Sequence, residues 1–298
     1  MRLARVLGAV GRTCITAGVL ILLFVAYQLW GTGIRTAQAQ NRLEDDFEEA
    51  LAEAEQTTTT STTEPDPNDD DPPTVPATPP AEIGSPVAKI EIPEIGVDWH
   101  VVEGVSLTEL KKGPGHFPQT PMPGQEGNAA IAGHRTTYGA PFHRLDELEK
   151  GDEITVTTLQ GVFTYEVAET IIVRPWQTDV LEDKGDNRLT LSACHPKYSA
   201  RERIIVVSKL AADEEPLPRP TISEDAPPPP TFEDLDGEGA PAWPAIVLGL
   251  GCALIWLLAW FGGRRWRAWV CYAIGFPFFM VTLFFFFEEF SRLLPSDF

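Results

Sequence analysis

In LTLSACHPKYSARERIIV, residues 189–206, a cysteine ends one strand-like run and an arginine opens the next. A strand alternates its side chains, so Thr190, Ser192 and Cys194 share one face while Leu189, Leu191 and Ala193 share the other. The connector HPKYSARE is long enough to turn the chain back, which would set Cys194 beside Arg203. A thiol that attacks a carbonyl needs a base or ion-pair partner, a donor for the developing oxyanion and a proton for the leaving amine. Arginine stays protonated and fits only the donor's part, whereas histidine titrates near neutrality and can move the proton. Five histidines are candidates: His100, His116, His134, His143 and His195. His134 follows NAAIAG at what reads as a strand end, and His195 points away from its neighbour Cys194 on an extended chain. Position alone leaves the choice open, because a lone histidine is more commonly a packing or surface residue.

The other three cysteines, Cys14, Cys252 and Cys271, fall in apolar runs at Thr13 to Trp30, about Trp243 to Gly262 and about Ala268 to Phe287. Each run approaches the ~20 residues that cross a bilayer as a helix, so three spans are expected. Arg2, Arg5 and Arg12 precede the first, and Arg264, Arg265 and Arg267 sit between the second and third, which puts both basic flanks in the cytoplasm and the region between outside. AQA at Ala37 to Ala39 resembles a signal-peptidase site, but the apolar core is long for a cleaved signal, and an uncleaved anchor is the reading taken. Cys194 is then the single exported thiol, with no partner for a disulfide. A free cysteine is either a small buried hydrophobe or, in an oxidising compartment, a candidate nucleophile.

These residues must be positioned by the chain between about Ile83 and Leu210, ~130 residues and the usual size of one domain. VAKIEIPEIGVDWHVVEG, GNAAIAGHR, DEITVTTLQGVFTYEVAETIIV, RLTLSAC and RIIVVSKL read as short strands, and only RLDELEK reads as a helical turn or two. The expected fold is all-β, a barrel with short helical insertions flanked by transmembrane helices. The expected divisions are 1–33, a cytoplasmic stub and anchor; 34–82, a disordered acidic Thr/Pro-rich spacer with a Glu-rich start that could be helical; and 83–210, the catalytic domain. Then follow 211–240, a Pro-rich linker; 241–288, two membrane helices; and 289–298, an extracellular tail. The net charge of −20 and the lack of a basic patch argue against nucleic acid. No metal-ligand spacing or cofactor loop is present, and Asp69, Asp70 and Asp71 lack the glycine and terminal glutamate of an EF-hand.

TLSAC at Thr190 to Cys194, Arg203 heading RIIV, and AGHRTTYGAPFHRL around His134 together resemble the sortases, membrane-anchored cysteine transpeptidases of mainly Gram-positive bacteria. The resemblance implies an eight-stranded barrel with its site at strand ends, Cys194 as nucleophile, His134 as general acid or base, and Arg203 as substrate and oxyanion support. No cofactor is implied. GHRTTYGAPF and CHPKYSARER look like class E of actinobacteria, whose preference is a LAxTG-type rather than LPxTG signal; the C-terminal anchor is similar to that of class C pilin polymerases, but no aspartate–aromatic lid is present. Ala193 stands where the family usually has threonine, and Ala193 and Tyr138, the latter in the loop after His134, are expected to touch substrate. The implied partners are exported proteins bearing a sorting signal, an amine of a peptidoglycan precursor, and the membrane, with the catalytic domain outside the cell. A catalytically silent binding or scaffold module and a plain cysteine endopeptidase use the same residues and stay open.

Overall fold

The computed structural model describes residues 2–60, 81–219, 241–291 and 293. The expectations for 61–80, 220–240 and nearly all of the tail lie outside these residues. The chain divides into two compact units, Met1–Gly31 with Gly237–Pro295, and Thr32–Asp236 with Ser296–Phe298.

The first unit is helical. It holds α1 (Arg2–Ala26), a π-helical turn (Tyr27–Gly31), α4 (Trp243–Arg265) and α5 (Ala268–Ser291). Among the described residues three helices are long and apolar enough to cross a membrane, within Val10–Ala54, Trp243–Arg265 and Ala268–Ser291. Small residues let α4 and α5 approach closely: Gly249 faces Phe286, Gly262 faces Cys271 and Gly275 faces Ala259. Tyr27, Cys252, Leu283 and Phe287 form its buried centre.

The second unit is a closed eight-stranded barrel. Its strands are β1 (Pro86–Ile92), β2 (Val97–Glu103), β3 (Gly115–His116), β4 (Asn128–Ala132), β5 (Glu153–Thr158), β6 (Gly161–Val173), β7 (Arg188–His195) and β8 (Glu202–Leu210). Around the barrel they run β1-β2-β3-β4-β7-β8-β6-β5. Alternation sends Ala129, Ile131, Leu189, Leu191, Ala193, Ile204 and Val206 to the main core. The intervening Ala130, Ala132, Ile205 and Val207 face outward into a second core, roofed by Val105, Leu110, Phe117 and Leu181 from the loops. The face of β7 that carries Thr190 and Ser192 is therefore covered rather than solvated, and Thr190 satisfies its hydroxyl on Asn128 Oδ1 at 2.7 Å. A short helix, α3 (Leu107–Leu110), capped by the Ser106 side chain, forms part of that roof.

Two boundaries differ from expectation. Residues 34–60 are not a disordered spacer: α2 (Thr32–Thr60) is a helix whose Thr32, Thr36, Leu43 and Phe47 are buried. The spacing of four, seven and four puts them on one stripe, so the acidic composition belongs to the solvent face and the apolar minority docks on the barrel. Residues 211–219 are not linker either. Leu217 exchanges backbone hydrogen bonds with Gly124 and Glu126, and Glu214 Oε1 accepts from Thr164 N at 2.7 Å, which ties the segment to the barrel despite its prolines.

Candidate active site

The strand order delivers three side chains to one rim. β4 and β7 are parallel, with Ala132 opposite Ser192, so both end at the same side. β8 is antiparallel to β7 and begins there, with Cys194 directly opposite Arg203. His134 follows β4 by two residues. One pocket on the outer face of the wall is lined by His134, Arg135, Cys194, Ser199, Ala200 and Arg203, with Leu107 and Leu110 from the α3 roof.

Gly133 is required between β4 and His134. It prolongs the ladder by donating to Ser192 O at 3.0 Å, and a side chain there would collide with the buried Phe142 ring at 2.5 Å. Phe142 N in turn donates to His134 O at 3.1 Å, so the histidine's backbone is held from both sides.

His134 is partly exposed as a residue, yet its Nε2 is sealed from solvent without a hydrogen-bond partner. Burial first, and then the positive charge of Lys111, push the imidazole down to about 4. It is neutral at neutral pH. An unfolded chain protonates this ring near 6.5 and the folded one only near 4, so its contribution to stability is complete above 6.5 and is lost as pH falls between those values. Urea midpoints of the barrel are expected to fall across that window. His134→Gln is expected to flatten the slope, leaving the part due to His100, which burial also lowers.

Arg203 is 9% exposed, and its Nη1 donates to Ala200 O at 3.1 Å and Glu202 O at 3.3 Å. Those two carbonyls hold the guanidinium at the turn that faces Cys194. The thiol is partly exposed and outside any disulfide. Ala193 borders the pocket but is 3% exposed and packs into the main core, as strand alternation requires. Its place is a wall, with the methyl turned from the thiol. Tyr138 is not among the residues that line the pocket; it adopts φ 52°, and its ring tilts at 38° against that of His134, 4.9 Å between centroids. The tyrosine expected to meet substrate thus meets the histidine.

Sequence reading passed over Arg135. It is 2% exposed, and its Nη1 donates to Cys194 O at 3.2 Å and to His195 Nδ1 at 2.9 Å, while Nη2 pairs with Asp146 Oδ1 at 2.8 Å. Because arginine only donates, His195 must accept at Nδ1. Desolvation raises the Asp146 pKa, but Arg135, with Lys197 3.5 Å away, outweighs it and holds the carboxyl below its ordinary value. His143 Nδ1 donates to Arg135 O at 2.8 Å. Arg135 therefore fastens the His134 loop to the end of β7. The available hints were weak: an arginine next to the candidate histidine, and an acid eleven residues on. His116 is not at the pocket; it is buried against Glu103 Oε2 at 2.8 Å and Pro121 O at 3.0 Å. His100 lies on β2 against Phe47.

A thiol, a neutral imidazole and a fixed guanidinium around one pocket make up the set needed for acyl transfer through a thioester. Among the described residues no group of His, Cys, Asp and Glu is placed to hold a metal.

The family model described as a sortase domain matches residues 90–211. Sortase SrtE1 of Streptomyces coelicolor is 32% identical over 221 residues, covering 69% of this chain and 57% of that protein. Sortase D of Bacillus subtilis is 35% identical over 132 residues, covering 43% of this chain and 65% of that protein. The chain thus spans less than two thirds of each of these relatives. The solved structure of sortase E from Streptomyces avermitilis is 34% identical, covers 46% of this chain and 93% of that chain, and superposes with a TM-score of 0.41.

Proposed function

This chain belongs to the sortase family and is similar to its class E members, and we propose that it is a membrane-anchored cysteine transpeptidase acting outside the cell. The observation that carries the proposal is the rim itself: Cys194 stands across from Arg203 in register, and His134 lines the same pocket. The substrate class is an exported protein with a LAxTG- or LPxTG-type signal, cut between Thr and Gly. The acceptor is an amine of a peptidoglycan precursor.

Neutral His134 sets the order of proton movements. The Cys194 thiol gives its proton to the imidazole as sulfur attacks the threonine carbonyl, and a C–S bond forms. Arg203 faces the developing oxyanion, where a fixed charge needs no reorganisation. The C–N bond then breaks, the imidazolium returns its proton to the glycine amine, and a thioester remains on Cys194. An incoming amine loses a proton to His134 and attacks the thioester, and the thiol leaves with that proton. Electrons and protons balance without a cofactor.

The basic residues flanking the apolar helices support a cytoplasmic N-terminus and an exported barrel. The test of function uses the full chain in detergent with LAxTG and LPxTG peptides, with and without an amine acceptor, followed by intact mass. An adduct on Cys194 that resolves to a new amide is expected. Adducts that resolve only to acid in the presence of amine would make it an endopeptidase, and no adduct with either peptide would favour a silent binding module.

A further inference from the structure

β3 is only two residues long and pairs with β2 at Val102 and Glu103, which leaves His100 on β2 outside that pairing. A side chain takes its place. Gln40 of α2 accepts from His100 N through Oε1 at 2.8 Å and donates through Nε2 to His100 O at 3.0 Å and to Lys112 O at 2.9 Å. The carboxamide reproduces one rung of a ladder and joins it to the segment after α3, so both orientation and register of the helix are specified. Gly113 makes room for the contact, because a side chain there would meet Gln40 Nε2 at 2.2 Å.

Two more polar contacts lie on the same stripe, toward the start of the helix. Thr36 Oγ1 donates to Lys111 O at 2.9 Å, and Thr32 Oγ1 accepts from Tyr138 N at 3.1 Å. Lys111 and Tyr138 both bear on His134. The Lys111 ammonium lies 5.5 Å from the Tyr138 ring, that ring packs on the imidazole, and the lysine's charge adds to burial in disfavouring the imidazolium. The other charged or titratable groups of the pocket are Arg135, Cys194 and Arg203.

We propose that α2 is a positioning element of the active site: through Gln40, Thr36 and Thr32 it holds Lys111 and Tyr138 against His134 and keeps the imidazole sealed. The idea rests on the transpeptidase reading for its kinetic consequence, but not for its structural one. Thr32, Thr36 and Gln40 are positioning residues, acting only through Lys111 and Tyr138. The segment that composition assigns to a spacer is on this account part of the catalytic unit.

The experiment uses the full chain in detergent with two readouts. The first is carbethoxylation of His134 by diethyl pyrocarbonate, located by peptide mass, which reports access to the imidazole with no substrate present. The second is kcat and KM for ligation of a sorting-signal peptide to an amine. The variants are Thr36→Val with Gln40→Leu, Thr36→Val alone, Thr36→Ser as the conservative rescue, and Asp45→Asn on the exposed side of α2.

In the double variant His134 is expected to react about tenfold faster or more, because the polar clamp that closes its surroundings is opened. kcat is expected to fall between about tenfold and a hundredfold with KM little changed, since the acid–base group is displaced and the peptide's contacts are not. Thr36→Val should fall between, and Thr36→Ser and Asp45→Asn should match the parent protein. If the double variant unfolds, Thr36→Val alone decides. Parent-like modification and kcat in a folded Thr36→Val protein and in the double variant would overturn the proposal. A parent protein that fails to ligate would overturn the transpeptidase reading and leave the modification rates to judge α2 separately.

Discussion

Cys194→Ala is expected to abolish both cleavage and ligation, a loss of at least about a thousandfold, because the proposed mechanism passes through a thioester on this thiol. Arg203 only donates, and His134 is assigned the transfer of protons in the proposed mechanism. The other cysteines, Cys14, Cys252 and Cys271, lie in helices of the first unit. Cys194→Ser should be nearly as inactive, since a hydroxyl is far harder to deprotonate than a thiol and a base pushed down to about 4 is a poor match for it. Neither change should alter stability by more than about 0.5 kcal/mol, as the side chain sits partly exposed at a strand end. Intact mass after incubation with peptide reads the result directly. Undiminished ligation by Cys194→Ala would remove the proposed mechanism.

Arg135→Met should lose both stability and turnover, although Arg135 is assigned no step in the chemistry. The substitution fills much of the volume but strands the Cys194 carbonyl and His195 Nδ1, and leaves Asp146 with Lys197 alone at 3.5 Å. Asp146 is 42% exposed at its side chain, so the ion pair is worth less than a fully buried one, and the hydrogen bonds from a buried charge carry most of the effect. A cost of about 3 kcal/mol follows, seen as a drop of about 6 to 12 °C in the barrel's Tm. Turnover should fall by about a hundredfold beyond any unfolding, since the tie between the His134 loop and the end of β7 holds His134 relative to Cys194, the proposed acid–base group and nucleophile. Arg135→Lys keeps the charge but not the planar fork, and should recover only part of either quantity. An Arg135→Met protein with parent-like Tm and kcat would show that the tie is dispensable.

The Cys194–Arg203 neighbourhood was legible because it depends on local order alone. Two strand-like runs joined by a turn-length connector form an antiparallel pair, and the register then places the end of one against the start of the next. The choice of His134 among the five histidines rested on resemblance alone. Nothing local distinguishes His134 from His116, which is buried between a carboxylate and a carbonyl away from the pocket. Arg135 was missed for a related reason: its partners lie eleven and about sixty residues away, and an arginine in a polar loop reads as surface. The ring contact between Tyr138 and His134 was not legible either, because it depends on how the loop folds around a positive φ at Tyr138.

Alternation, apolar run length and charge thus determined, from the sequence by itself, the strands, the three membrane-length helices and the isolation of one thiol. These depend on nearest neighbours and on transfer of side chains from water, which any window of the chain reveals. The tertiary structure alone decided the parallel pairing of β4 with β7, which brings His134 to the rim of Cys194, and the docking of α2, whose acidic face conceals a stripe of Thr32, Thr36, Leu43 and Phe47. Both require partners far apart in the chain. A parallel pair has no turn to announce it, and the partners of α2, among them the His100 backbone bonded by Gln40, lie about sixty residues on in the chain.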